Sequence, residues 1–267
     1  MHHLLRSTLV VAALAAPAAA QPAAQAPLPN LLSSSVGGTG ELRFDYTNFD
    51  NLLFDDVTFI AFNAHVQYIS PRGAGGYFQL PFVYASGNDE SETEIGNIQL
   101  GGLYAIRSGS LDILLRGGIA LDTASEDGEF LVPFGNVLPR LADFPSTGFD
   151  TNWLRLGGQV RHASGNLRIG GTVGFEIPLD DEEVEGDAAL SLGGSIGFEQ
   201  PGGFGAGFGI LLLQNLGDDV GDDNTVGLNV TAGTAIGASA HLFGALGLNL
   251  EDDVDGFSIG IGVRFGF

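Results

Sequence analysis

The feature that most constrains this chain is an alternation of apolar and polar residues with a period of two, which runs from Glu41 to Phe267. Successive side chains of a β-strand point to opposite faces, so a period of two is typical of strands with two chemically different faces. No part of this region holds an apolar stripe at the 3.6-residue spacing of an amphipathic helix. The sequence therefore predicts an all-β fold.

The connections between the alternating segments also alternate in character. There are twelve segments, joined by five short connections that are almost free of acid and six longer, acidic ones. The short connections are 70–75, 108–110, 164–166, 200–203 and 237–239. The long ones are about 49–56, 88–94, 123–150, 180–187, 214–224 and 251–256, and they hold 26 of the 32 Asp and Glu residues. This sorting predicts a closed up-and-down sheet whose two ends meet different surroundings.

Composition decides which solvent the sheet faces. The chain carries a formal charge of −22 and 42 Gly residues, yet 44% of its residues are hydrophobic. One face of the segments is Leu, Ile, Val and Phe, and the other is Gly, Ser, Thr, Asn and Arg. Strands of about 12 residues tilted by ~40° rise roughly 30 Å, enough to cross the apolar layer of a bilayer. We predict a transmembrane antiparallel up-and-down β-barrel of about 12 strands, with its apolar face toward lipid.

The N-terminus predicts export. Residues 1–20 combine a basic start at Arg6, an apolar stretch and a small-residue cleavage site, which is the pattern of a signal peptide. Residues 21–39 read as a flexible linker and residues 40–267 as the barrel. The absence of Cys excludes a disulfide scaffold, a thiolate metal site and a Cys nucleophile.

The last eleven residues, FSIGIGVRFGF, place an apolar residue at every second position and Phe at the C-terminus. With the alternation before it, this ending resembles Gram-negative outer-membrane β-barrel proteins of porin-like architecture. The resemblance implies that the barrel-assembly machinery reads Ile261, Val263, Phe265 and Phe267 as an assembly signal. It also implies a location in the outer membrane, in contact with lipid and lipopolysaccharide. No motif singles out one porin or transporter family.

Strand parity places most of the Arg residues on the inner face. The candidates for lining the pore are Arg43, Arg107, Arg116, Arg155, Arg161, Arg168 and Arg264, with the acids Asp112, Asp122 and Glu176. One interpretation is a charged rail that orients anionic groups in transit, and the other is an ion-pair network that braces the wall. Arg161 and Arg168 lie on either side of the 164–166 turn, and we expect Asp112 to lie between them.

The inner positions of the last five segments are mostly Gly, Ser and Thr, so few side chains fill that half of the lumen. This predicts either a water-filled channel or a space occupied by another part of the chain. The candidate occupant is the 28-residue connection 123–150, because its middle is too apolar for water. Its candidate constriction residues are Phe130, Phe134 and Arg140.

Other functions have weaker support. Acidic connections offer carboxylates to divalent cations, but a solvated anionic surface is the simpler interpretation. No cofactor is expected, and the three His residues that follow the predicted signal peptide lie outside any nucleophile motif, which argues against an enzyme. The net charge opposes nucleic-acid binding. We predict a passive porin-like channel for small hydrophilic solutes. The alternative is a non-conducting structural or adhesive barrel with acidic surface loops.

Overall fold

The strands of the chain are given by a computed structural model that describes residues 28–29, 31–50, 58–87, 90–124, 132, 136, 139, 151–179, 188–216, 224–250 and 255–267. These residues form thirteen strands. In chain order they are β1 (Gly37–Asp50), β2 (Thr58–Ile69), β3 (Ala74–Gly87), β4 (Glu90–Ile95), β5 (Ile98–Ser108), β6 (Leu111–Leu121), β7 (Trp153–Ser164), β8 (Leu167–Pro178), β9 (Ala189–Glu199), β10 (Gly205–Asn215), β11 (Asn224–Ala235), β12 (Ala240–Asn249) and β13 (Asp255–Gly266).

The strands close into an antiparallel barrel. Apart from β4 and β5, each strand pairs with the next in sequence, and β13 pairs with β1, which completes the ring. β4 and β5 occupy a single position, because both pair with β3 and only Gly96 and Asn97 separate them. The barrel therefore has twelve strand positions around its circumference, here called staves. The predicted fold class is confirmed. The acidic stretch 88–94, predicted as a connection, instead extends the sheet as β4 from Glu90 onward.

The short connections are tight turns at one end of the barrel, here called the short-turn end. Two of them have only two residues between strands, Gly109–Ser110 and Gly165–Asn166. Gly109 and Gly165 have φ of 60° and 56°, in the left-handed region that suits a two-residue hairpin. The opposite end, here called the long-loop end, carries the long connections. Most residues of these connections lie outside the described part of the chain.

The outer face of the barrel is apolar on every stave. Side chains such as Phe44, Ile210 and Ile261 are about half exposed there, although they are large and hydrophobic. A contiguous apolar belt of this extent does not occur on a water-soluble monomer. The outward set of each strand is the one predicted from the alternation, because a period of two leaves no other way to divide a strand.

The inner face is polar and closely packed. Asp45, Thr47, Gln99 and Ser258 are fully buried. A small apolar cluster also faces inward at the short-turn end, formed by Ile69, Tyr77, Leu103, Ala105 and Leu114. The lumen therefore has a mixed lining rather than a uniformly polar one.

The seam between the first and last strands is closed by the C-terminal residue. Gly38 donates its N–H to the carbonyl of Phe267 at 2.9 Å, and Phe267 donates to the carbonyl of Gly38 at 3.0 Å. A side chain on Gly38 would overlap the ring of Phe267, and one on Gly40 would overlap the ring of Phe265. These two rings thus cover the outside of the seam where β1 carries no side chains.

The predicted signal peptide at 1–20 lies outside the described residues. β1 begins at Gly37, three residues before the predicted start of the barrel. Among the described residues, no helix has the length and apolar character needed to cross a membrane.

Candidate functional site

All seven candidate Arg residues belong to the inward-facing set of their strands. Within the described part of the chain, four of them form ion pairs with carboxylates. The pairs are Arg43–Asp45 at 2.7 Å, Arg155–Glu176 at 2.7 Å, Arg168–Glu199 at 3.5 Å and Arg264–Glu41 at 2.6 Å. At these four places the structure favours the ion-pair interpretation over an unpaired rail. Glu41 and Glu199 were not among the predicted site residues, although both occupy inward positions by parity.

The deepest of these pairs lies near the long-loop end. The guanidinium of Arg155 donates through Nε to Oε1 of Glu176 at 2.8 Å, and through Nη1 to the side-chain oxygen of Gln99. The side chains of Arg155 and Glu176 are 1% and 3% exposed. The group bridges β5, β7 and β8 inside the wall. Arg155 is the third residue of β7, which places it close to the long-loop end of the strand.

Glu41 is at the centre of a second group, next to the seam. Its neighbours in register are His65 on β2 and Arg264 on β13. Arg264 donates to Oε2 of Glu41 through Nε at 2.8 Å. One strand position further along, Arg43 donates to Asp45 through Nε at 2.9 Å and Nη2 at 2.7 Å. Two ion pairs thus lie side by side on β1 and β13.

The expected position of Asp112 between Arg161 and Arg168 is wrong. Asp112 pairs in register with Arg107 on one side and Arg161 on the other, whereas Arg168 lies opposite Ala163 and reaches Glu199 instead. The two-residue turn between β7 and β8 sets this register. In it, the side chain of Arg168 is directed to Glu199 on β9 and not to Asp112 on β6. Asp122, at the end of β6, lies exposed at the long-loop end, where its backbone N–H donates to Asn152.

The lumen is occupied by the chain's own N-terminal segment, defined here as residues 28–36, of which all but residue 30 are described. Leu28, Leu31, Ser33 and Ser34 are at most 7% exposed. The segment crosses the barrel from β1 toward β9 and β10, close to the short-turn end. Part of what was predicted as a flexible linker therefore lies inside the barrel.

Side chains of the wall hold the backbone of the segment. Gln159 accepts from the N–H of Leu32 at 2.9 Å and donates to its carbonyl at 2.8 Å. The same carbonyl accepts from Nη2 of Arg161 at 3.0 Å. The next carbonyl, that of Ser33, accepts from Gln67 at 2.7 Å. Two strands of the wall, β2 and β7, are thus joined to two consecutive peptide units of the segment.

The next residue of the segment is held at both its backbone and its side chain. The carbonyl of Ser34 accepts from Nε of Arg107 at 3.0 Å, and the hydroxyl of Ser34 donates to Asp112 at 2.9 Å. Leu32 also packs against the inward apolar cluster around Leu103 and Leu114. The segment is therefore bound by polar and apolar contacts together.

The apolar side chains of the N-terminal segment pack against the glycine-lined part of the wall. A side chain on Gly170 would overlap Leu31, and one on Gly197 would overlap Leu28. A Cβ on Gly207 would come within 2.9 Å of Pro29. The space predicted from the missing side chains is thus partly filled by Leu28 and Leu31. The Leu residues of 28–32 were a signal in the sequence, because apolar side chains are unexpected in a solvated linker.

The connection 123–150 also reaches into the lumen. Val132 and Asn136 are fully buried, and Nδ2 of Asn63 on β2 donates to Oδ1 of Asn136 at 2.8 Å. Both ends of the connection are held by Asn97. Its Oδ1 accepts from the N–H groups of Thr123 and Ala124 at 3.0 and 3.2 Å. The candidate constriction residues Phe130, Phe134 and Arg140 lie outside the described residues.

A cavity of about 120 Å³ separates the two inserted parts of the chain. The N-terminal segment lines it through Leu31 and Leu32, and the long connection lines it through Pro139. The barrel wall contributes polar and charged side chains, which include Glu41, Arg43, His65, Gln67, Arg116, Thr172, Asn229 and Arg264. The cavity therefore has a charged wall and an apolar margin.

Two nitrogen donors in this lining have no acceptor within the described part of the chain. They are Nη1 of Arg264 and Nδ2 of Asn229. The two residues are 6% and 4% exposed. Both atoms are N–H donors, so this cavity is better suited to a ligand that accepts hydrogen bonds.

The four candidate residues of the assembly signal lie along the outward face of β13 and its end. Ile261 and Phe267 are 55% and 52% exposed, and the rings of Phe265 and Phe267 are 6.2 Å apart. In the described residues, no cluster of three or more His, Asp or Glu side chains is arranged to hold a metal ion. The acidic stretches 180–187 and 217–223, considered above for divalent cations, lie outside the described residues.

A closed twelve-stave barrel with an apolar belt and a charged lumen defines the class of the molecule: it has the porin-like fold of outer-membrane β-barrel proteins. The chain is similar to an outer membrane channel from Pseudomonas putida F1, with 15% identity, a TM-score of 0.67 and coverage of 91% of this chain and 100% of that one. It is also similar to the NanC porin, with 10% identity, a TM-score of 0.56 and coverage of 85% and 100%.

A third similar structure is the KdgM porin, with 10% identity, a TM-score of 0.52 and coverage of 85% of this chain and 99% of that one. No family model matches the sequence. No curated protein matches it either. The structural similarity establishes a shared fold. At sequence identities of 10 to 15% it does not identify a solute.

Proposed function

We propose that this chain is an outer-membrane channel through which small hydrophilic solutes pass passively. The single observation that carries the proposal is the closed barrel with lipid-compatible side chains outside and a charged, hydrogen-bonding lumen inside. Similarity to solved porins and channels supports the location in the outer membrane and the transport role. The short-turn end then faces the periplasm, and the acidic long-loop end faces the cell surface.

The same proposal assigns the chain no catalytic role. Lumen side chains would act on a solute by orienting it and replacing part of its hydration, as charged rings do in other pores. We further propose that a signal peptide at 1–20 is cleaved during export, and that the assembly machinery binds the outward face of β13. Outer-membrane lipid and lipopolysaccharide would surround the apolar belt.

Single-channel recording of the refolded full-length protein in a planar bilayer tests the proposal. We expect discrete current steps whose size grows with salt concentration. A folded barrel that leaves the bilayer silent would instead favour the alternative, a structural or adhesive barrel with acidic surface loops. Folding is checked separately by the heat-dependent mobility of the barrel on gels.

Arg116 provides the test of solute charge. It lies midway along β6 and lines the cavity, so its charge acts where the path is narrowed by the inserted segments. We expect Arg116→Gln to shift the reversal potential in a salt gradient toward lower anion preference. The matched control is Arg72→Gln, which removes the same charge from an exposed turn at the short-turn end. Equal reversal potentials for Arg116→Gln and the unmodified protein would argue against an anion-orienting wall.

A further inference from the structure

The N-terminal segment shows what kind of chemical group the lumen binds. It contains no charged residue, and it presents three consecutive carbonyl oxygens, those of Leu32, Ser33 and Ser34, to the wall. These oxygens accept hydrogen bonds from Gln67, Gln159, Arg107 and Arg161. The wall at this level therefore presents mainly donors to the segment, while Gln159 and Asp112 also accept, from the N–H of Leu32 and the hydroxyl of Ser34.

The charge at this level is not balanced by the segment. Arg107 and Arg161 flank one acid, Asp112, in register on β6. Each of these two arginines donates to a peptide carbonyl of the segment, which brings no negative charge. With a carboxylate both partners are charged, and a guanidinium can form two parallel hydrogen bonds to it. A carboxylate would therefore be a better partner for these arginines than the peptide that occupies them.

The adjoining cavity extends the same preference. Arg264 and Asn229 line it, are at least nine-tenths buried, and each has an N–H donor without an acceptor in the described residues. Arg43 and Arg116 line it as well. A small solute with one or two carboxylates supplies the acceptor oxygens and the negative charge that these donors require.

We propose that the lumen contains a binding site for small carboxylate-bearing solutes, and that residues 28–36 occupy this site as an internal ligand that such solutes displace. The inference rests on the proposed channel function and specifies its substrate class and its gate. The inward glycines allow the segment to leave its site. Leu31 and Leu28 pack on Gly170 and Gly197, so no wall side chain at these two positions holds them in place.

Cysteine labelling tests the displacement without relying on current. The chain has no Cys, and Leu31 is 5% exposed, so the thiol of Leu31→Cys in the folded full-length protein should react slowly with a small maleimide. Succinate is the probe, and erythritol is the uncharged control of similar size. We expect succinate to accelerate labelling by about tenfold, the factor that corresponds to one charge-assisted hydrogen bond. Labelling of Gln200→Cys, in an exposed turn, should not respond to either solute.

The donor residues are tested by a double variant. Arg107→Gln with Arg161→Gln removes two charged donors, so Leu31→Cys in this background should label fast even without succinate and should lose most of its response to succinate. Arg72→Gln serves as the control, because it removes a charge away from the lumen and should leave the labelling unchanged. A response to succinate that survives the double variant would overturn the assignment of these donors.

A disulfide tests whether the segment blocks the path. Leu31→Cys with Gly170→Cys should form a bridge on oxidation, since the two positions are in contact. We expect the oxidised variant to pass at least tenfold less current than the reduced one, because the segment is then fixed across the lumen. The control is Leu31→Cys alone, which has no second thiol in the chain to bridge to and should pass the same current under oxidising and reducing conditions.

The outcomes separate this inference from the channel function. Equal currents for the oxidised and reduced Leu31→Cys, Gly170→Cys variant would overturn the gate while leaving the channel in place. Acceleration of labelling by erythritol as strong as that by succinate would overturn the solute class. Labelling that responds to succinate in a protein that carries no current would support the binding site and contradict the channel.

Discussion

At the scale of single residues, burial decides what each ion pair contributes. Arg155 and Glu176 are almost fully enclosed, whereas the side chains of Arg168 and Glu199 are 25% and 24% exposed. Removing one partner of a buried pair leaves the other charge without compensation, and this costs more than the pair itself contributed. A partly exposed pair is screened by water and is worth about 1 kcal/mol or less.

We therefore expect Arg155→Ala to lower the free energy of unfolding by about 3 to 5 kcal/mol, since Glu176 and Gln99 lose their common donor inside the wall. The matched variant Arg168→Ala should cost about 1 kcal/mol or less. Urea unfolding of the refolded protein in lipid vesicles measures both. Similar losses for the two variants would mean that burial does not separate these pairs.

At the scale of the element, the most informative feature is the interruption between β4 and β5. Gly96 donates its N–H to the carbonyl of Pro81, while Asn97 leaves the ladder and turns its side chain inward. This single side chain contacts both ends of the connection 123–150, because Nδ2 of Asn97 also approaches the carbonyl of Thr151 at 3.5 Å. The break in the strand thus positions the inserted connection.

Replacing Asn97 with Ala should destabilise the folded barrel by about 1 to 3 kcal/mol, because two partly buried hydrogen bonds, from the N–H groups of Thr123 and Ala124, lose their acceptor. The control is Thr93→Ala, which alters an exposed side chain on β4. The measurement is again urea unfolding in vesicles. If Asn97→Ala unfolds at the same urea concentration as Thr93→Ala, the anchoring contacts contribute nothing to stability.

At the scale of the whole molecule, the barrel is closed by a seam that depends on the last residue of the chain. Phe267 supplies both backbone hydrogen bonds to Gly38 and an aromatic ring over a strand edge without side chains. An open edge in the membrane would leave unpaired backbone groups in hydrocarbon, so closure is required for a stable barrel. A partner can therefore bind the edge of β13 only before this strand pairs with β1. After closure, it can reach only the outward side chains next to the seam.

Phe267→Ser should lower the amount of barrel that reaches the outer membrane severalfold, since the proposed assembly signal loses its terminal aromatic residue. Refolding of the purified variant in detergent should still give a closed barrel, because both backbone hydrogen bonds to Gly38 remain possible. Membrane fractionation measures the first effect and heat-dependent gel mobility the second. Phe257→Ser, at the other end of the same outward face, is the control, and an equal decrease for both variants would contradict a signal at the C-terminus.

The alternation of apolar and polar residues determined the class of fold, the number of staves and the outward face of each strand. It could do so because the side-chain direction of a strand follows from its period alone, and membrane lipid requires one apolar face. The even number of segments and the acidic character of the long connections could also be read from the sequence, once the alternating segments were located. Each inward Arg on the described strands was also identified by parity.

Only the tertiary structure decided which inward groups meet and what fills the lumen. The register across each turn placed Asp112 between Arg107 and Arg161 rather than beside Arg168, and a period of two does not specify register between strands. The segment 28–36 has no periodicity of its own. Its place inside the barrel depends on donors and glycines from strands up to 179 residues away in the chain, the separation of Leu28 and Gly207. Local sequence determines what each strand presents, and only closure of the sheet brings those surfaces together.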